Sequence, residues 1–146
     1  DIETMKDKFI GLAQEFDDSQ YEWRPMEGVR SVHDVFGLII AECHIFPTAW
    51  GHEPPAGAAS GFGGEIQRTG ALSRDEVISE LGSAFDHLIG VVRGMNDSER
   101  MAESSYFGRA MPVHANILIS TADMHEHLGQ LIAYARTNHV VPPWSR

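Results

Sequence analysis

The densest set of side chains able to do chemistry lies between Pro112 and Asn138. Placed at about 100° per residue on a helix, Asn116, Ser120, Asp123, His127, Gln130 and Tyr134 fall within roughly 80° of one another. This polar stripe runs beside an apolar seam of Val113, Ile117, Thr121, Met124, Leu128, Leu131 and Ala135. Asp123 and His127 are four residues apart, so their side chains project from successive turns toward one point. A helix offers a carboxylate and an imidazole to a divalent ion such as zinc or nickel in this way. The same spacing equally serves a solvent-facing ion pair, and a metal reading needs a third group. Further along the stripe, Gln130 and Tyr134 are placed to orient a substrate, while Asn116 or Ser120 is placed to hydrogen-bond the groups that hold an ion. No residue declares itself catalytic by type and spacing alone.

The chain carries eight histidines. His125 falls on the opposite flank of the same helix, near His114, because eleven residues make almost three turns. The His125-Glu126-His127 run is therefore not one site. His33, His52 and His139 fall at helix ends or in loops and read as surface residues, and His87 sits at the boundary of an apolar run. His44 lies well off the apolar arc of its own helix. Cys43 lies within that arc and reads as a small buried hydrophobe rather than a nucleophile.

Four amphipathic stretches must position these groups. The first, from Ile2 to about Phe16, places Met5, Phe9, Leu12, Ala13 and Phe16 at helical spacing. Ser31, with Asp34 three residues on, starts the second, which runs through Val35, Phe36, Ile39 and Cys43 toward Trp50, with Pro47 ending or kinking it. Ser73 and Glu76 have capping-box spacing before a third run that stops near Gly94 to Asn96. Pro112 suits the first position of a fourth helix ending at Asn138. Between the second and third helices, Gly51 to Gly70 contains Pro54-Pro55 and six glycines, a density that predicts a loop. No strand-like alternation competes, and the tail from Val140 reads as an extended Pro-Pro-Trp segment. The expected architecture is all-α, a single four-helix bundle over residues 1–146.

Composition bounds the function. The 146 residues suit one domain with a sizeable core, and 42% hydrophobic content with a mean hydropathy of −0.21 excludes disorder and a membrane-embedded chain. A net charge of −10 opposes binding to nucleic acid or to an anionic membrane surface. The single cysteine excludes an internal disulfide, and no segment reads as a signal peptide, so a cytoplasmic location is expected.

Three segments together resemble the DinB-like four-helix proteins: Tyr21 to Val32 (YEWRPMEGVRSV), His125 to Arg136 (HEHLGQLIAYAR) and Val141 to Ser145 (VPPWS). The resemblance covers nearly the whole chain. It implies a bundle with one longer connection, frequently dimeric, related to bacillithiol transferases and mycothiol-dependent maleylpyruvate isomerases. It further implies a divalent metal held by one side chain of the second helix, seven residues after the Ser of the Ser-Val start, and two of the fourth helix at i and i+4, just before an x-Gly-Gln element. The fourth-helix positions fall on Asp123, where the family commonly has His, and on His127. The second-helix position falls on Leu38, which cannot bind a metal. Glu42, one turn later on the same side of the helix, is able to reach a shifted ion, and otherwise reads as a surface carboxylate.

Two functions follow as expectations. In one, a zinc or nickel ion on Asp123, His127 and Glu42 supports a thiol-transferase or hydrolase reaction, with Gln130, Tyr134 and Asn116 contacting a small thiol or other small-molecule substrate. In the other, the site has decayed, metal binding is weak or absent, and the bundle serves as a small-molecule binder or interaction module. Bulky apolar residues outside the seam of the fourth helix, Leu118, Ile119 and Ile132, point to a homodimer.

Overall fold

A computed structural model describes residues 1–146. Each expected amphipathic stretch is a long helix: α1 (Ile2–Glu15), α3 (Val32–Ile45), α5 (Arg74–Gly94) and α7 (Val113–Thr137). Three shorter helices occupy the connections: α2 (Asp18–Tyr21), α4 (Gly61–Thr69) and α6 (Asp97–Met101). The caps are those that the sequence announces. Ser31 with Asp34 and Ser73 with Glu76 form reciprocal capping boxes, each side chain bonding the other residue's backbone N–H. Asp17 with Gln20 and Asn96 with Glu99 do the same for the two single-turn helices.

The four long helices bury their apolar seams against one another. Phe9 of α1 meets Phe85 of α5 with ring centroids 5.7 Å apart, and Phe36 of α3 contacts Phe16 edge-on and stacks on Tyr21. Met124, Leu128, Leu131 and Ala135 complete this core from α7. Helix α3 lies deepest, with residues Val32 to His44 buried except Asp34. That depth decides the environment of any polar group it carries.

Two segments depart from the sequence expectation. The glycine-rich stretch Gly51 to Gly70 is not all loop, because its second half folds as α4. Intrinsic propensity opposes a helix with three glycines, and tertiary contacts outweigh it. Phe62 stacks on Phe46 at 6.2 Å, Glu65 is fully buried among polar partners, and Thr69 packs against Gly37 so closely that a Cβ there would lie 3.0 Å from its Oγ1. The α-helix ends at Ile45, just before Pro47 as expected, and Phe46–Trp50 carry the run on to Trp50 as a 3₁₀ turn.

The connection before α7 is also not irregular. Strands β1 (Glu103–Tyr106) and β2 (Arg109–Pro112) pair antiparallel with Tyr106 opposite Arg109. Phe107 and Gly108 make the two-residue loop with φ of 45° and 83°, the doubly left-handed geometry whose twist matches paired strands. Pro112 is the N-cap of α7 rather than its first helical residue. The tail closes in a 3₁₀ turn at Pro143–Ser145.

Candidate metal centre

Helix α7 presents Asp123 and His127 on the flank that faces α3, and α3 answers with Glu42. The ligand atoms of Glu42, Asp123 and His127 all lie within 4.8 Å of one another. His127 Nε2 stands 3.6 Å from Glu42 Oε1. The alternative of a solvent-facing Asp123–His127 pair is not what the fold builds. Nor is Glu42 a surface carboxylate, since it is 1% exposed.

Burying a carboxylate is costly unless something compensates it. No donor reaches Glu42 Oε2. The group beside it is the Asp123 carboxylate, another acceptor, so the two oxygens must share either a proton or a cation. Burial first, then the charge of Asp123 and a shared hydrogen bond with it, push the Glu42 carboxyl up to about 9, against a smaller downward pull from Arg30. A buried acid with an orphaned oxygen, an adjacent carboxylate and an imidazole together form a donor set that fits a divalent transition ion.

The stripe beyond the centre fixes His127. Its Nδ1 lies 3.2 Å from Gln130 Oε1; Gln130 Nε2 donates to the Tyr134 hydroxyl at 2.7 Å, and that hydroxyl donates to the Arg30 carbonyl at 3.1 Å. With Nδ1 carrying the proton toward Gln130, Nε2 keeps its lone pair on the side of Glu42. Trp23 meets the Tyr134 ring edge-on at 5.2 Å and holds it in place.

Asn116 and Ser120 do a different job. Asn116 is 1% exposed; its Nδ2 donates to Ser104 Oγ of β1, and Ser120 donates to Asn116 Oδ1. Ser104 Oγ in turn donates to the Met111 carbonyl of β2. This chain ties the hairpin to α7 and thereby sets Tyr106 over the centre, a residue that the sequence reading did not single out. Burial first, then the negative charge of Asp123, push the Tyr106 phenol up to about 12. Phe46 and Phe107 pack edge-on against the same ring. Four-residue strands carry too little alternation to be read as such, and the Phe107-Gly108 pair was the one available signal.

Leu38, one turn before Glu42, is 3% exposed and lines a small cleft with Arg30, Asp34 and Ile66. The fold also buries His33, expected at the surface, and His44, which lies off the apolar arc of its helix. His33 is buried with Nε2 2.9 Å from the Leu72 carbonyl, and His44 is buried against Glu65. His125 remains exposed and pairs with Asp1 on the far flank of α7. Cys43 is fully buried, and that burial raises its thiol well above the usual range.

Residues 1–131 match the model of the DinB superfamily. The chain belongs to the DinB superfamily. A DinB-like protein from Bacillus cereus has the same fold at a TM-score of 0.78 and 12% identity, covering 95% of this chain and 89% of that one. A DinB-like protein from Bacillus subtilis matches at 0.71 and 17% identity over 94% and 87% of the two chains. A mycothiol-dependent maleylpyruvate isomerase matches at 0.68 and 14% identity over 89% of this chain but 57% of that longer one. No curated protein matches the sequence. At such identities the likeness to these structures is one of fold. No helix of this DinB-superfamily chain is long and apolar enough to cross a membrane.

Proposed function

We propose that this chain is a divalent-metal-dependent enzyme whose ion is held by Glu42, Asp123 and His127, acting on a small thiol or a hydrolysable substrate. The observation that carries this reading is the buried Glu42 carboxylate, whose Oε2 lacks any donor while it converges with Asp123 and His127. Leu38 removes a ligand at the position implied by the family resemblance, and Glu42 supplies a carboxylate one turn later. When bound, such an ion supplies Lewis acidity that brings the pKa of a thiol or a water toward neutrality.

The protein's own groups then have separable tasks. Glu42 and Asp123 supply the negative charge that attracts a cation into a half-buried position. Gln130 and Tyr134 hold the imidazole of His127 in one tautomer. Tyr106 keeps its proton at every physiological pH and so adds no charge of its own beside Asp123. A thiol-dependent reaction is favoured over plain hydrolysis because one structural neighbour is a thiol-dependent isomerase. We further propose a homodimer joined through the exposed flank of α7.

The test is metal content together with thiol-dependent turnover of small electrophiles. The wild type is expected to retain ion at Glu42, Asp123 and His127, and Glu42→Gln and His127→Gln are expected to lose that ion and the turnover in parallel. A wild type that takes up no ion there, even when titrated with zinc, would leave the non-catalytic binding bundle that Leu38 favours.

A further inference from the structure

The tip of the β1–β2 hairpin carries a side chain that folding does not repay. Phe107 has φ of 45° and is 78% exposed, the most exposed large apolar residue of the protein. Both facts run against the physics of the position. The left-handed region crowds a Cβ against the backbone, so a turn of this kind ordinarily takes Asn, Asp or Gly as its first residue. A bulky aromatic there is a backbone outlier, and leaving its ring in water forfeits the burial that would offset the strain. Gly108, the second turn residue, meets the same requirement without that penalty. Strain of this kind persists where it serves a site.

Phe107 stands one ring away from such a site. Residues of a strand alternate between its faces, so Tyr106 shares the face of Ser104, which is buried and accepts from Asn116 of α7. Tyr106 therefore leans toward the bundle, where its ring meets Phe46 edge-on at 5.9 Å. Phe46 still has helical backbone angles and follows Glu42 by one turn, on the same side of α3. On the outer side of Tyr106, Phe107 packs with ring centroids 4.7 Å apart and planes at 82°. An aromatic row thus runs from the helix that carries Glu42 out to solvent, and its last ring has no protein partner beyond it.

We propose that Phe107, backed by Tyr106 and Phe46, is the wall that receives an aryl group of a substrate whose reacting end sits at the centre of Glu42, Asp123 and His127. The inference rests on the metal reading above and adds a substrate class to it: a small molecule with a flat, uncharged, apolar body close to its reacting group. His127 is 17% exposed, so the centre stays within reach of solvent, while Glu42 is closed off. An aryl ring laid on Phe107 removes apolar area of both rings from water and gains the offset or edge contact that aromatic pairs prefer. A short aliphatic body gains little of either.

The experiment uses the zinc-loaded full chain and two probes that grip zinc through the same pair of oxygens, benzohydroxamate with a phenyl ring and acetohydroxamate with a methyl group. In calorimetry, and corrected for their affinities for free zinc, wild type is expected to favour benzohydroxamate about tenfold. Phe107→Asn supplies the residue that the turn prefers, so its melting temperature should hold or rise while the preference falls to about twofold or less. Phe107→Gly, which removes the ring and makes no demand on φ, should lose the preference in the same way. A preference that survives in both variants would overturn the proposal. So would a zinc-loaded wild type that binds the two hydroxamates alike. A wild type that holds no zinc would overturn the metal reading and this inference with it, and the zinc content tells that failure from the other two.

Discussion

Glu42 is the residue on which the chemistry turns. In the metal-free chain its carboxyl sits near 9, above neutral pH, so it carries the proton that it shares with Asp123. An ion entering the centre must displace that proton. Zinc binding at pH 7.5 is therefore expected to release about one proton from this centre, and the affinity to rise as pH is raised toward 9. Calorimetry in buffers of differing ionisation enthalpy, run on wild type and on Glu42→Gln, measures the difference. The variant should lack this proton release and bind at least tenfold more weakly, a loss of more than about 1.4 kcal/mol. Tyr134 acts one step further out. Tyr134→Phe removes both the acceptor for Gln130 and the donor to Arg30, and the loosened His127 is expected to lower metal affinity about tenfold with little change in melting temperature. An unchanged affinity would show that packing alone orients the imidazole.

Helix α4 illustrates how one element is made by its neighbours. Gly37 lets Thr69 approach α3, and Gly37→Ala would force a Cβ against a stiff, buried threonine. The expected cost is about 1–3 kcal/mol in a denaturant titration. Its other anchor is electrostatic. Glu65, held at about 2 in the folded chain against 4.5 for an ordinary carboxyl, binds fewer protons folded than unfolded at intermediate pH. Its stabilising contribution is full above about 4.5 and is lost as pH falls toward 2. The stability gap between wild type and Glu65→Gln should accordingly be widest at neutral pH and shrink through that window. A gap that is constant from pH 7 to pH 2.5 would mean that Arg68 and His44 contribute nothing through the charge of Glu65.

At the scale of the molecule, α7 has two working flanks. One faces Glu42, and the other leaves Leu118 71% exposed beside a groove of about 420 Å³ whose walls include Ile2, Ile89, Val92 and Ile117. An apolar groove crowned by an exposed leucine suits self-association through a two-fold axis. Sedimentation is expected to show a species of twice 16.2 kDa, and Leu118→Glu to return it to the monomer mass. A wild type that remains at the monomer mass at micromolar concentration would remove the dimer from consideration.

The sequence by itself determined the four long helices, because capping boxes and 3.6-residue periodicity are local signals read within one element. It also placed Asp123, His127, Gln130 and Tyr134 on one stripe, since a single helix fixes their relative directions. Tertiary structure alone decided what joins them. Whether Glu42 faced water or the bundle depended on the depth of α3, which no local pattern encodes. Tyr106 reached the centre through a hairpin too short to show alternation, anchored by an Asn116–Ser104 bond between residues twelve apart in different elements. The glycine-rich run before α5 became a helix because Phe46, His44 and Gly37 received Phe62, Glu65 and Thr69. Local propensity argued against that outcome, and packing energies summed over several long-range contacts reversed it.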